Sequence, residues 1–131
     1  MSKQELFTEE DIIDVYTRAQ AVEDGVLVDV SEVAREAGFK FPVAITRAVW
    51  CDVVEPDDIA KAHGESESGR LWDVLFMLHM AIKQQGMDGD MIHYQLLATK
   101  DGRKHKVELK AICGPGDQGE PVITVMLPEE D

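Results

Sequence analysis

Apolar positions along this chain change period near its middle. In the first part they recur at helical spacing: Ile12, Val15, Tyr16, Ala19 and Val22 share one face of a segment that Thr8 can cap and Glu9, Glu10 and Asp11 can begin. A helix is therefore predicted from Thr8 to Glu23, ended by Asp24-Gly25. Val26-Leu27-Val28 is too short to assign as strand or buried loop. Ser31 can cap a short helix reaching Ala37, with Gly38 as its left-handed terminator. Pro42 opens a third helical pattern through Ile45, Ala48, Val49 and Val53, stopped at Glu55-Pro56 because proline disfavours a helical residue before it. A short helical turn over Asp57 to His63 follows. Gly64-Glu65-Ser66-Glu67-Ser68-Gly69 is small, polar and free of apolar anchors, which reads as a mobile loop. From Arg70 to Gln85 apolar residues occupy nearly every helical face, so this segment is predicted to be a central helix covered on several sides and ended at Gly86.

Beyond Met91 the period falls to two. Ile92, Tyr94, Leu96 and Ala98 alternate with polar residues, as do Val107, Leu109 and Ala111, and Asp101-Gly102 between the runs is a hairpin signal. Gly114, Gly116 and Gly119 match the letters G-x-G-x-x-G, but a pyrophosphate cradle needs a helix leaving the loop, and here Pro121 and the β-branched run Val122 to Leu127 follow. The loop is read as a strand-to-strand connection. The expected fold is α+β: helices dominate residues 8–85, including one central buried helix, and pack on a three-stranded antiparallel sheet formed within residues 91–127. One domain over 1–131 accommodates this, since a chain of this length can bury roughly two thirds of its unfolded surface.

Charge narrows the function classes. Thirteen basic residues against 26 acidic ones give a formal net charge of −13. Up to Arg70 there are 16 acids and 7 bases, so the excess lies mainly in the helical half. A field of that sign opposes direct binding to nucleic acid or an anionic membrane and permits a basic protein as partner. The start Met1-Ser2-Lys3-Gln4-Glu5-Leu6-Phe7 lacks the apolar run of a signal peptide, and Val74 to Met80 is too short to span a bilayer, so a cytoplasmic protein is expected.

Catalytic and cofactor chemistry finds no motif to stand on. His63, His79, His93 and His105 lack metal-ligand spacing, with His79 read as a core-edge residue holding a hydrogen-bonded nitrogen. Asp88-Gly89-Asp90 lacks the further ligands of a calcium loop and is read as a turn. Cys51 and Cys113 have no partner spacing and are expected to be small core residues, and Trp50 and Trp72 sit in apolar helical patterns that also place them in the core. Arg103-Lys104-His105-Lys106, the one basic cluster, is read as a device that blunts an exposed sheet edge. No catalytic residue, metal or cofactor is expected.

Four blocks taken together, Asp24 to Ser31, Pro42 to Trp50, Gly69 to Leu75 and Gly114 to Thr124, resemble a family of short bacterial proteins known only as a domain of unknown function and carried on plasmids, phages and integrated mobile elements. The resemblance brings no catalytic residues. What it implies is a setting in which small acidic proteins occlude host defence proteins, as anti-CRISPR and anti-restriction proteins do. The expected function is non-enzymatic inhibition of a host nucleic-acid-handling protein with a basic surface, a CRISPR effector subunit being the leading case. Candidate partner-binding acids are Glu9, Glu10, Asp14, Glu65, Glu67, Asp117 and Glu120. Full duplex mimicry needs several aligned acidic elements, because B-DNA carries a charge about every 1.7 Å of axis whereas carboxylates at i,i+4 on one helix stand roughly 5–6 Å apart. A homodimer is left open. The competing readings are a small enzyme with a motif-less pocket and a plasmid-maintenance or regulatory accessory protein.

Overall fold

The computed structural model describes residues 16–130, an α+β arrangement of helices around a five-stranded mixed sheet. In chain order the elements are α1 (Arg18–Glu23), β1 (Leu27–Asp29), α2 (Ser31–Glu36), β2 (Val43–Thr46), α3 (Arg47–Val49) running into a π turn (Trp50–Val54), α4 (Asp58–Ala62), α5 (Glu67–Gln85), β3 (Met91–Lys100), β4 (Arg103–Pro115) and β5 (Pro121–Met126). The sheet order is β1-β2-β5-β4-β3. The predicted antiparallel trio is present as β5-β4-β3, but it is not the whole sheet. Val43, Ala44 and Ile45 pair in parallel with Ile123, Thr124 and Val125, and β1 pairs antiparallel with β2.

The prediction missed β2 because Ile45, Ala48, Val49 and Val53 fit a helical period. Ile45 belongs to a strand: Val43, Ala44 and Ile45 are all buried, as a strand covered on both faces requires. Thr46 then caps α3, its Oγ1 accepting from the Val49 amide at 3.3 Å. The Glu55 amide reaches back five residues to the Trp50 carbonyl at 2.8 Å, widening the helix by one residue before Pro56 ends it. The short run near Val26 resolves as β1.

The predicted helix from Thr8 to Glu23 is also revised. Thr17 is extended and forms a capping box with Gln20, so a helix begins at Arg18; residues 8–15 lie outside the described residues. Ser31 is the first residue of α2 and not its cap; its hydroxyl donates to Asp29 at 2.6 Å and accepts from the Val43 amide at 3.1 Å. Ser66, placed in a mobile loop by composition, caps α5 through the Gly69 amide at 3.1 Å, and Glu67, Ser68 and Gly69 form the first turn. Composition misled here because serine and glycine suit a helix start as well as a linker.

The core lies between α5 and the inner face of the sheet. Val74, Leu75 and Leu78 are fully buried against Ile45, Leu109 and Val125, with Ile92, Tyr94 and Leu96 extending the layer along β3. The Tyr94 hydroxyl donates to the Val74 carbonyl at 3.0 Å and so ties sheet to helix. Only one side of α5 is covered. Trp72, Phe76 and Met77 remain about 40% exposed, with Trp72 and Phe76 stacked at 6.2 Å, so the expectation of a helix buried all round is overturned, as is that of a core Trp72. α1 packs on the opposite face of the sheet, where the Arg18 guanidinium donates to Thr124 Oγ1 and the Ile123 carbonyl.

Candidate functional site

Where α3, α4 and α5 meet the hairpin of β3 and β4, a buried arginine organises the corner. Arg70 is 6% exposed. Its Nη1 donates to the Val53 carbonyl at 3.1 Å, its Nη2 to the Thr99 carbonyl, and its Nε to Glu65 at 3.1 Å. Sequence reasoning missed it, although the signal was present: Arg70 is in phase with Val74 and Leu78 at four-residue steps, a charged residue on an apolar stripe. Nearby, Asp57 caps α4 through the Ala60 amide and accepts from the Asp101 amide at the hairpin turn. The Asp101 and Ala60 amides hold its carboxyl below the usual carboxylate range. Of the segments that supply this corner, the π turn exposes Asp52, the link after it Glu55, α4 Asp58, and α5 Glu67 and Asp73. Among the described residues the one ion pair is Arg70 with Glu65.

A second constellation joins α1 to the glycine loop. Asp117 accepts from the Arg18 amide at 2.7 Å with one oxygen and from the Ala19 amide at 3.0 Å with the other. Those two donors, Arg18 first, keep its carboxyl below the usual range. Burial in turn lowers the Arg18 guanidinium, opposed by the charges of Asp29, Asp117 and Glu120. Glu120 turns back over the loop, accepting from the Gln118 amide at 2.9 Å while its carboxyl group lies where a Gly116 side chain would have to go. The loop joins β4 to β5 and no helix follows Gly119, in agreement with the strand-to-strand reading. Beside it lies a groove of about 340 Å³ lined by Arg18, Asp29, Ser31 and Ala44.

The predicted partner-binding acids therefore separate. Glu9, Glu10 and Asp14 lie outside the described residues. Glu65 is bound to Arg70, Asp117 and Glu120 shape a turn, and Glu67 stands exposed in the first turn of α5. The structure does not bring the described four into one patch. Cys51 is exposed on the π turn and is not the core residue expected, whereas Cys113, half-buried on β4, packs against the core. The His63 ring contacts the Ile59 carbonyl at 2.8 Å, and His79 packs edge-on against Phe39 beneath Gly38, whose added side chain would meet the ring at 2.9 Å. Asp88-Gly89-Asp90 forms the turn into β3. Among the described residues no group of three or more His, Cys, Asp or Glu side chains is placed to hold a metal ion, and no helix is long and apolar enough to cross a membrane. The basic cluster Arg103 to Lys106 sits where β4 runs past the end of β5, on an exposed strand half.

The whole course of the chain matches one family description. The model of a family of unknown function, DUF6573, matches residues 3–131. The chain belongs to the DUF6573 family. No curated protein and no solved structure matches it. Membership in DUF6573 agrees with the resemblance to a domain of unknown function and assigns no residue a role.

Proposed function

We propose that this DUF6573 chain is an acidic, mobile-element-encoded binding protein that inhibits a host nucleic-acid-handling defence protein by occupying its basic surface, a CRISPR effector being the leading case. The observation that carries the reading is that Asp52, Glu55, Asp58, Glu67 and Asp73 are all exposed on the segments that supply the Arg70 corner: the π turn, the link after it, α4 and α5. Charges on several elements are what a field resembling a phosphate backbone requires, since one helix alone spaces its carboxylates too widely. A formal net charge of −13 extends the same field and accelerates encounter with a cationic cleft.

The test uses a purified effector nuclease and its nucleic-acid substrate. The protein should inhibit cleavage in competition with the substrate, and inhibition should weaken as salt rises through about 0.15 M. Reversing Asp52, Glu55, Asp58, Glu67 and Asp73 to lysine should slow association by at least about tenfold with the fold retained. Inhibition indifferent to these reversals and abolished by a conservative His63 or Cys51 substitution would replace this reading with an enzymatic one.

A further inference from the structure

No strand of the sheet pairs with the outer edge of β3 among the described residues, and its polarity follows from three contacts. The Met91 carbonyl accepts from the Asp88 amide, the His93 carbonyl from Gln85 Nε2 at 3.2 Å, and the Thr99 carbonyl from Arg70. In an antiparallel strand the N–H and C=O of one residue point to the same side. Odd-numbered residues of β3 therefore aim their backbone groups away from β4, while Lys100 closes the hairpin opposite Arg103. Met91 is engaged by the Asp88 turn and Thr99 by Arg70. Between these two capped ends lie His93, Gln95 and Leu97, all exposed, Leu97 at 60%.

We infer that this edge pairs antiparallel with the same edge of a second copy of the chain, about a two-fold axis at Gln95. The register is set by the strand itself. An axis at Gln95 places Gln95 against Gln95, His93 against Leu97 and Met91 against Thr99, so the central residues, engaged only at the His93 carbonyl, meet each other, as do the ends held by Asp88 and Arg70. It also places Asp90 of one chain opposite Lys100 of the other, with the turns that carry Asp88 and Asp101 beyond them. This is opposite-charge pairing generated twice by one symmetry operation. Gln85, exposed at its long contact, moves aside to release the His93 carbonyl.

Apolar surface flanks the same edge. A groove of about 620 Å³ beside β3 is lined by Phe76, Met77, Met80 and Ala81 of α5 together with His93 and Gln95. The two-fold brings the exposed side of each α5 toward its mate, covering side chains that a lone chain leaves wet and adding to the strand contact the area that a stable interface needs. The net charge of −13 per chain opposes association, but this repulsion is spread over the surface and screened within about 8 Å at physiological salt, whereas the Asp90 and Lys100 ends meet directly.

Sedimentation velocity of the full chain across about 1–200 μM should show a reversible monomer–dimer equilibrium, a range that populates dimers with Kd near 10 μM. Gln95→Pro removes the N–H on the axis without touching the backbone bonds to β4, losing there only the exposed side-chain contact to Glu108, so it should keep the circular dichroism spectrum and weaken the dimer at least about tenfold. Asp90→Lys and Lys100→Glu should each weaken it several-fold, roughly tenfold at most, and the double variant should restore it, because each swapped residue faces the other swapped residue across the axis. A wild-type chain monomeric throughout overturns the proposal and leaves the edge to a foreign strand. A dimer unaffected by Gln95→Pro, or one that the double charge swap fails to restore, overturns it as well.

Discussion

Replacing Arg70 with methionine tests whether the corner of α3, α4 and α5 is held by one side chain. Methionine keeps much of the buried stem, so the change isolates the guanidinium. Two backbone carbonyls, those of Val53 and Thr99, lose their charged donor, and a carbonyl cannot be redesigned away as a partner side chain can. Each such bond is worth about 1.5–3 kcal/mol, and the loss of the Glu65 contact adds under about 1 kcal/mol because that carboxylate is one-third exposed. Relief from burying a cation offsets part of the sum. The net expectation is a loss of about 3 kcal/mol, a large share of the roughly 5–15 kcal/mol available to a domain. With an unfolding entropy of roughly 2 cal/mol/K per residue, a chain of this length loses about 4 °C in Tm per kcal/mol, so calorimetry should record a fall of roughly 10–12 °C. Urea titration should move the midpoint without changing the slope. Glu65→Gln should move Tm by no more than roughly 4 °C. An Arg70→Met variant within about 3 °C of wild type would refute the reasoning, showing that water or Glu65 alone can satisfy the corner.

Two further outcomes are expected. Asp57 and Asp117 have folded-state pKa values below the ordinary carboxylate value, so their contribution is complete above the unfolded pKa and lost as pH falls through the folded one. Tm should hold above about pH 5 and decline below about pH 4, and Asp57→Asn with Asp117→Asn should flatten that decline; an unchanged slope in the double variant would disprove the assignment. Leu78 is fully buried between helix and sheet, so Leu78→Ala should cost about 2–5 kcal/mol in chemical denaturation, with a loss below about 1 kcal/mol indicating a core that collapses around the gap.

The sequence was most legible where one local rule dominates. The hairpin at Asp101-Gly102, the stop at Glu55-Pro56, the terminator at Gly86 and the strand-to-strand loop at Gly116 all answer to turn chemistry within a few residues. β1 and β2 were not legible because three or four residues are too few to show a period, and β2 earns its place only by pairing with a strand far along the chain. The exposed side of α5 was misread because hydrophobicity on every face records what a helix would bury, not what the chain has available to cover it. Of the site, the abundance of carboxylates was readable. Which of them are engaged was not: Glu65, Asp117 and Glu120 differ from Glu67 only through partners that the fold supplies.

The parallel pairing of β2 with β5 has a consequence for the order in which the molecule can assemble. Val43 meets Ile123, and β5 lies between the β1–β2 ribbon and the β3–β4 hairpin. On a ribosome adding roughly 5–20 residues per second, β2 therefore waits several seconds for its neighbour, during which both inner edges of the future sheet are unpaired. Loop closure over that span comes before any reward from the central pairing, which predicts slow, late-committing folding for so small a chain. A truncation before Pro121 would not trim an edge; it would remove the keystone and leave two ribbons with no backbone pairing between them.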